Sequence, residues 1–236
     1  MPQEFWIEEY RKKAASADPI LQSGRGKQFD AVELLYVVKQ VVELLRLDAS
    51  HELLDVGCGN GLLDIVLSAC CRHVMAIEPV EELAELARKN LRHCPNVAVE
   101  VGHGADIRAA NDTFDCMLAF GVLQLVSPEE AIEMFGEAVR VVRPGGRVVF
   151  GSILDAARRD RFLIPYLDGV RGGSHLSADE KEEIIRRNLS AHWHHPKDLA
   201  DWWMGRGCSV TIHSLVAGDP DADHRFHLVV TVEKHA

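Results

Sequence analysis

The sequence predicts an α/β fold in which a parallel sheet is covered by helices on both faces. Short apolar runs alternate with amphipathic helical patterns from residue 52 to residue 153. This alternation favours parallel strands joined by helical crossovers. The chain has 236 residues and 47% hydrophobic content, which is enough to bury one sizeable core.

Two helical patterns come before the alternating region. Residues 3–16 have aromatic side chains at helical spacing on one side, and residues 29–47 carry a strong apolar stripe. A polar loop with two glycines and two cations, residues 22–28, separates them. We therefore expect two helices with an irregular segment between them.

The alternating region begins with a strand, a glycine-rich turn and a helix. The apolar residues Leu53, Leu54 and Val56 predict a buried strand, and the turn Gly57-Cys58-Gly59-Asn60-Gly61 follows it. We expect a helix over 62–70 whose free N–H groups face a ligand at the turn. Glycines there allow a sharp turn and a close approach of that ligand.

The remaining elements follow in regular order. The patterns predict strands over 74–78, 97–101, 114–119 and 147–153, and helices over 81–93 and 128–142. Ser127 precedes Pro128 and Glu130, which is typical of a helix N-terminus. Residues 143–146, Arg-Pro-Gly-Gly, should end that helix. Charged helical pieces over 156–166 and 177–189, a helix over 196–206 and an antiparallel hairpin of strands 209–216 and 226–233 complete the chain.

The ends of the strands carry the candidate ligand-binding residues, because ligands of open parallel sheets bind outside the carboxyl ends of the strands. Asp55 ends the first strand and Glu78 ends the second. An acid at the second position can accept hydrogen bonds from ribose hydroxyls. Residues 102–107 follow the third strand, and Phe120-Gly121 follow the fourth.

Two nucleoside ligands fit this arrangement, a dinucleotide and S-adenosylmethionine. The glycines follow the pattern G-x-G-x-G, whereas dinucleotide sites want G-x-G-x-x-G. Asp55 stands two residues before the first glycine, where a carboxylate suits an ammonium better than a pyrophosphate. The glycine pattern therefore favours S-adenosylmethionine.

These motifs resemble those of class I S-adenosylmethionine-dependent methyltransferases of the small-molecule type. The resemblance is carried by residues 55–61, Glu78, Asp106-Ile107, residues 114–123 and residues 143–147. It implies a Rossmann-like, doubly wound, seven-stranded sheet that is mostly parallel with an antiparallel last strand. It also implies S-adenosylmethionine as the cofactor and S-adenosylhomocysteine as its product. The implied cofactor-binding residues are Asp55, Gly57, Cys58, Gly59, Glu78, Pro79, Asp106, Ile107, Phe120 and Gly121.

In the resembled family, N-terminal segments often fold over the cofactor. We therefore expect residues 1–48 to form a helical lid, with Arg25 and Gln28 reaching the methionine carboxylate of the cofactor. Residues 49–236 would form the methyltransferase domain. The insertion after strand five, residues 154–195, would roof the substrate pocket.

The catalytic residues are less clearly marked. Many small-molecule members of the family have a histidine where this sequence has Leu125, so any base must come from elsewhere. The polar candidates for the roof are His192, His194, Tyr166 and His224. Metal binding by the histidines is not expected, because no acidic or cysteine partner stands at ligand spacing.

The composition limits the partners. Asp and Glu outnumber Lys and Arg by 36 to 26, for a net charge of −10, which disfavours nucleic acid as a partner. No signal peptide or membrane-spanning run is apparent, so we expect a cytoplasmic protein. The six cysteines show no C-x-x-C spacing, so we expect free thiols. We expect a monomer or a homodimer.

The expected function is methyl transfer to oxygen or nitrogen of a small-molecule metabolite. A protein or peptide methyltransferase and a non-catalytic adenosyl-binding protein remain alternatives. A nicotinamide dehydrogenase is a third.

Overall fold

The centre of the fold is one seven-stranded sheet. The computed structural model describes residues 3–22, 31–167, 177–215 and 221–233. The strands are β1 (Glu52–Val56), β2 (His73–Glu78), β3 (Val97–Val101), β4 (Phe114–Phe120), β5 (Val142–Leu154), β6 (Ser209–Ser214) and β7 (Arg225–Thr231). Their order across the sheet is β3-β2-β1-β4-β5-β7-β6.

Strand directions confirm the predicted topology. The neighbours from β3 to β5 pair in parallel, and β7 runs antiparallel to both β5 and β6. The order reverses between β1 and β4, so the crevice at their carboxyl ends is the place where such folds bind ligands.

Helices cover both faces of the sheet. In the described part they are α1 (Gln3–Ala14), α2 (Pro19–Gln22), α3 (Ala31–Leu45), α4 (Asp64–Leu67), α5 (Glu81–Asn90), α6 (Pro128–Val141), α7 (Arg159–Leu167), α8 (Ala178–Ser190) and α9 (Pro196–Met204). Helices α6 and α9 pack on one face, where Met117, Phe150 and Trp203 are fully buried. Helix α3 packs on the other face with Leu118 and Val149.

The predicted start of α6 is confirmed. The Ser127 side chain accepts the N–H of Glu130 at 3.2 Å, and the Glu130 carboxylate accepts the N–H of Ser127 at 2.8 Å. Pro128 stands at the first helical position, where its missing N–H costs nothing. This reciprocal cap fixes where the chain turns after the loop that follows β4.

The helix expected over 62–70 is wrong in its length. Helix α4 has four residues, Asp64–Leu67. Beyond it, the N–H groups of Ala69 and Cys70 bond three residues back, to Val66 and Leu67, as in a series of tight turns. So short a helix carries little dipole, and the positive helix end expected at the glycine turn is not an important feature of the site.

Strand β5 begins earlier than predicted. Val142 already pairs with Phe114, and the register then shifts before Cys116 pairs with Arg147. The Gly145 N–H donates to the carbonyl of Val232 at 2.7 Å, which draws the Pro-Gly-Gly turn into the sheet. The residues expected only to end α6 therefore also extend the sheet.

Within the described ranges, no helix has both the length and the apolar character that a membrane crossing requires. All six cysteines are free thiols, as expected.

Candidate active site

A cavity opens at the carboxyl ends of β1, β2 and β4. Its floor is formed by the glycine turn after β1, the end of β2 and the loops after β3 and β4. Its roof is formed by one face of α1 together with Leu34 of α3. The cavity therefore lies at the point where the strand order reverses.

The glycine turn keeps its sharp shape through two backbone conformations that favour glycine. Gly57 and Gly59 have φ angles of 75° and 60°. A Cβ on Gly57 would lie 2.7 Å from Cγ2 of Val122, whereas a Cβ on Gly59 would meet no atom within 4 Å. Gly59 therefore leaves open space for a ligand, and Gly57 allows close packing against the loop after β4.

Glu78 ties the end of β2 to this turn. Its Oε2 accepts the Gly59 N–H at 2.8 Å, and its Oε1 accepts the Val80 N–H at 3.0 Å. Burial raises the pKa of the Glu78 carboxyl to about 7, although both backbone N–H groups act in the opposite direction. Each carboxylate oxygen keeps a further lone pair for hydroxyl donors in the cavity.

Asp55 lines the cavity one layer deeper, with Asp64 behind it. The two side chains are 2% and 0% exposed. Their carboxyl groups lie within hydrogen-bonding reach of each other, and burial together with this like-charged neighbour raises the pKa of Asp55 well above its usual range. Burial also raises the pKa of Asp64, although the hydrogen bond with Asp55 and its own backbone N–H act in the opposite direction. The pair is thus two acids in contact, away from solvent.

The roof is mostly apolar. Helix α1 presents Trp6, Ile7 and Tyr10 to the cavity, and α3 adds Leu34. Trp6 is 5% exposed, and its indole N–H has no hydrogen-bond partner among the described residues. A ligand below α1 would therefore meet an apolar surface that has one unused donor in it.

Ion pairs join the second half of α1 to two other helices. Arg186 of α8 donates to Glu9 at 2.7 Å, and Arg11 donates to Glu82 of α5 at 2.7 Å. Asn60 of the glycine turn donates to the carbonyl of Pro19 at 2.8 Å, which joins α2 to the turn. Helix α1 therefore bridges the insertion after β5 and the helix that follows Glu78.

Most of the residues expected to bind the cofactor share the cavity wall. The structure places eight of them there: Asp55, Gly57, Cys58, Gly59, Glu78, Pro79, Phe120 and Gly121. Leu125, which occupies the place of the family's histidine, also lines the cavity.

The other cofactor candidates lie elsewhere. Asp106 is exposed, and Ile107 is buried in the core with its N–H donated to Glu137 at 2.8 Å. In place of this pair, Gly102 and His103 face the cavity from the loop after β3. Arg25 and Gln28 lie outside the described residues.

The structure places the candidate catalytic histidines away from the cavity wall. Burial lowers the pKa of both His192 and His194. His194 Nε2 donates to the carbonyl of Leu123 at 3.0 Å. His224 is buried and stacks on Phe162 with ring centroids 4.1 Å apart.

Tyr166 belongs to α7, but its side chain lies outside the described part. Across the described ranges, no group of three or more His, Cys, Asp or Glu side chains is arranged to hold a metal ion.

Four residues at the site were not predicted from the sequence: Trp6, Tyr10, His103 and Asp64. His103 stands between two glycines directly after β3, and its position at a strand end was a usable signal. Trp6 and Tyr10 belong to the aromatic side of a helix whose docking site no local pattern indicates. Asp64 reaches Asp55 only because the chain reverses at Gly61.

The known proteins that this chain is similar to include several methyltransferases. Residues 53–146 match the family model of a methyltransferase domain. The chain is 30% identical over 128 residues to a protein-L-isoaspartate O-methyltransferase of Rhodopseudomonas palustris (strain BisA53), and that alignment covers 53% of this chain and 58% of the relative. It is 27% identical over 185 residues to a demethylmenaquinone methyltransferase of Clavibacter sepedonicus, covering 72% of this chain and 71% of the relative.

A second protein-L-isoaspartate O-methyltransferase, from Myxococcus xanthus (strain DK1622), is 30% identical over 146 residues, and the chain spans 58% and 64% of the length of these two isoaspartate relatives. Among solved structures, the fold is similar to phosphoethanolamine N-methyltransferase 1 of Haemonchus contortus in complex with phosphoethanolamine and S-adenosylhomocysteine. The TM-score is 0.71 at 13% identity, over all of this chain and 51% of the other. At this identity the likeness shows a shared fold.

Proposed function

We propose that this chain, whose residues 53–146 match a methyltransferase-domain model, is a class I S-adenosylmethionine-dependent methyltransferase that transfers the methyl group of that cofactor to an oxygen or nitrogen atom of a small molecule. One observation carries the proposal. Two buried acids, Asp55 and Glu78, line one cavity at the ends of adjacent parallel strands, beneath a glycine turn with open space above Gly59.

The residues present fit the cofactor. Glu78 has lone pairs left to accept the two ribose hydroxyls, because its backbone partners use one on each oxygen. Asp55 provides a carboxylate for the ammonium of the methionine end. None of the described residues that line the cavity is Lys or Arg, so the wall suits a positively charged group.

When bound, S-adenosylmethionine supplies a methyl group that is already electrophilic. The chain's own task is to hold the acceptor atom close and in line, and to exclude water. Trp6, Ile7 and Leu34 provide the apolar surface for this. An acceptor that must lose a proton needs a base, and His103 is the cavity residue whose imidazole ring can accept a proton.

A small acceptor is favoured because the cavity is roofed. Helix α1, within residues 1–48, covers the cavity, and α8, within the insertion 154–195, is joined to it through the Arg186–Glu9 ion pair. We assign the lid to the first of these segments and part of the roof to the second. The Trp6 indole N–H would then donate to an acceptor atom of the small molecule.

A protein or peptide acceptor is the second candidate. The observation that favours it is the match to protein-L-isoaspartate O-methyltransferases, which act on a carboxyl group of a protein according to their name. A peptide would need α1 to move, because this helix closes the cavity from above.

The test measures binding first and turnover second. We expect calorimetry to show micromolar-range binding of S-adenosylhomocysteine and no comparable binding of NAD. A panel of small hydroxyl and amine acceptors and of isoaspartyl peptides, read out by formation of S-adenosylhomocysteine, then identifies the acceptor class. Absence of S-adenosylhomocysteine binding would contradict the cofactor assignment, and turnover of peptides alone would contradict the small-molecule acceptor.

A further inference from the structure

Asp64 is a buried acid for which the proposed function so far has no role. It is 0% exposed and is not part of the cavity wall. Among the described residues, no other residue donates a hydrogen bond to its carboxylate oxygens, although its own backbone N–H acts on the carboxyl group. The group within reach is the carboxyl of Asp55, which does face the cavity.

The surroundings provide no counter-charge. Glu78 faces Asp55 from β2, and Cys58 faces both acids from the glycine turn. Cys71 faces Asp64 from beyond α4, while Tyr10 and His103 face the cavity from α1 and the loop after β3. No Lys or Arg side chain in the described ranges acts on either aspartate.

Two carboxylates in contact and away from water cannot both stay ionised at low cost. A proton on one of them removes the repulsion and also supplies a hydrogen-bond donor between the two carboxyl groups. Asp64 lies behind the cavity, whereas Asp55 faces the ligand, so the proton is better placed on Asp64. A neutral carboxylic acid in such an apolar position acts as a donor, and its partner keeps the negative charge.

We propose that Asp64 is a positioning residue that stays protonated and donates a hydrogen bond to Asp55, which orients the Asp55 carboxylate toward the cofactor's ammonium group. The inference rests on the proposed function, since it concerns the same cofactor. Only neutral Asp64 can fill this role. An ionised Asp64 would instead compete with Asp55 for the proton that the two acids share.

The variant Asp64→Asn tests whether Asp64 acts as a neutral hydrogen-bond donor or as a charged acid. The Asn amide imitates protonated Asp64 in size and as a donor, whereas Asp64→Ala removes the donor. We expect Asp64→Asn to bind S-adenosylhomocysteine within about threefold of the wild type at pH 7.5. We expect Asp64→Ala to bind it about tenfold or more weakly, the usual effect of losing a hydrogen bond to a charged group.

The pH profile gives a second readout. In the wild type, affinity for S-adenosylhomocysteine should rise between pH 6 and pH 7.5, by at most tenfold per pH unit, as the pair loses its other proton. In Asp64→Asn the rise should be smaller, because Asp55 then ionises at lower pH. 5′-Methylthioadenosine, which lacks the ammonium, corrects for the titration of Glu78 and should respond little to either Asp64 variant.

The outcomes are distinguishable. If Asp64→Asn weakens S-adenosylhomocysteine binding as much as Asp64→Ala does, or if both variants weaken both ligands alike, the positioning role is overturned while the cofactor site stands. If the wild type binds neither ligand, the proposed function itself fails. Should Asp64→Ala not fold, the comparison of Asp64→Asn with the wild type across pH still decides the question.

Discussion

The Glu78 carboxylate accepts the backbone N–H of Gly59 at 2.8 Å, so the end of β2 fixes the turn that follows β1. The same carboxylate accepts the Val80 N–H through its other oxygen. Glu78 therefore has two tasks, since it shapes the glycine turn and offers its remaining lone pairs to the cavity. A carboxylate suits this position because the backbone N–H groups of Gly59 and Val80 both donate to it, one to each oxygen.

Replacement of Glu78 should strongly weaken cofactor binding. In Glu78→Gln the side-chain amide places a donor against one of the two backbone N–H groups, and leaving a buried donor unpaired costs about 1–3 kcal/mol. We expect S-adenosylhomocysteine affinity to fall about tenfold in Glu78→Gln and further in Glu78→Ala. The matched control is Glu100→Gln on β3, an exposed glutamate on the neighbouring strand. Unchanged affinity in Glu78→Ala would refute the ribose assignment.

The two glycines of the turn should respond differently to alanine. Gly59→Ala meets only the penalty of a positive φ, about 1–2 kcal/mol. Gly57→Ala adds a contact at 2.7 Å with Val122 and should destabilise the protein more. Gly136→Ala within α6 is the control, since a Cβ there meets no atom within 4 Å and alanine favours helix. Urea denaturation measures all three, and equal costs at Gly57 and Gly59 would contradict the turn geometry.

The buried acid pair predicts how stability depends on pH. Burial raises the pKa of Asp64 above its usual value, so the folded protein binds this proton more tightly than the unfolded chain. Its contribution to the free energy of unfolding is therefore fully present below about pH 4, the usual pKa of an aspartate in an unfolded chain, and declines as pH rises above that value. Relative to the wild type, Asp64→Asn should gain stability as pH rises from 4.5 to 7.5, by up to about 1.4 kcal/mol per pH unit.

Denaturation curves of the two proteins across this pH range test the expectation. Parallel curves would mean that folding does not raise the pKa of Asp64. Asp106→Asn, an exposed acid, serves as the control and should leave the pH dependence unchanged.

Loosening of α1 should speed ligand exchange. Arg186→Gln removes the ion pair with the nearly buried Glu9, which holds α1 to α8. We expect S-adenosylhomocysteine to dissociate severalfold faster, as measured by stopped-flow displacement, with a small change in thermal stability. Lys197→Gln on α9, where Lys197 pairs with Asp201 at the surface, is the control. An unchanged dissociation rate would mean that α1 does not close the cavity.

Local sequence patterns were sufficient for the strand order and for the two acids at the floor of the site. The strands β1 to β5 follow from short apolar runs bounded by turn residues, and parallel pairing brings Asp55 and Glu78 to the same edge of the sheet. Their positions depend on neighbouring strands only, which is why periodicity and spacing were enough to place them on the cavity wall.

The roof and the acid pair depend on contacts that no local pattern encodes. Asp64 begins a helix, where an acid is ordinarily exposed and favoured by the helix dipole. It is buried here because Gly61 turns the chain back behind β1. The histidines at 192 and 194 stood out as polar residues, but their backbones bond to Gln124 and Leu154, and burial follows from that docking.

The ion pairs of α1 and the acids below it differ in their access to dissolved salt. Arg11 and Arg186 are 50% and 41% exposed, whereas Asp55 and Asp64 are almost wholly enclosed. Mobile ions shorten the range of electrostatic attraction to about 3 Å at 1 M ionic strength, and they act on exposed charges far more than on enclosed ones. Concentrated salt should therefore loosen α1 while the electrostatics of the acid pair stays intact, so entry to the cavity and the binding of a positively charged group within it would respond differently to dissolved salt.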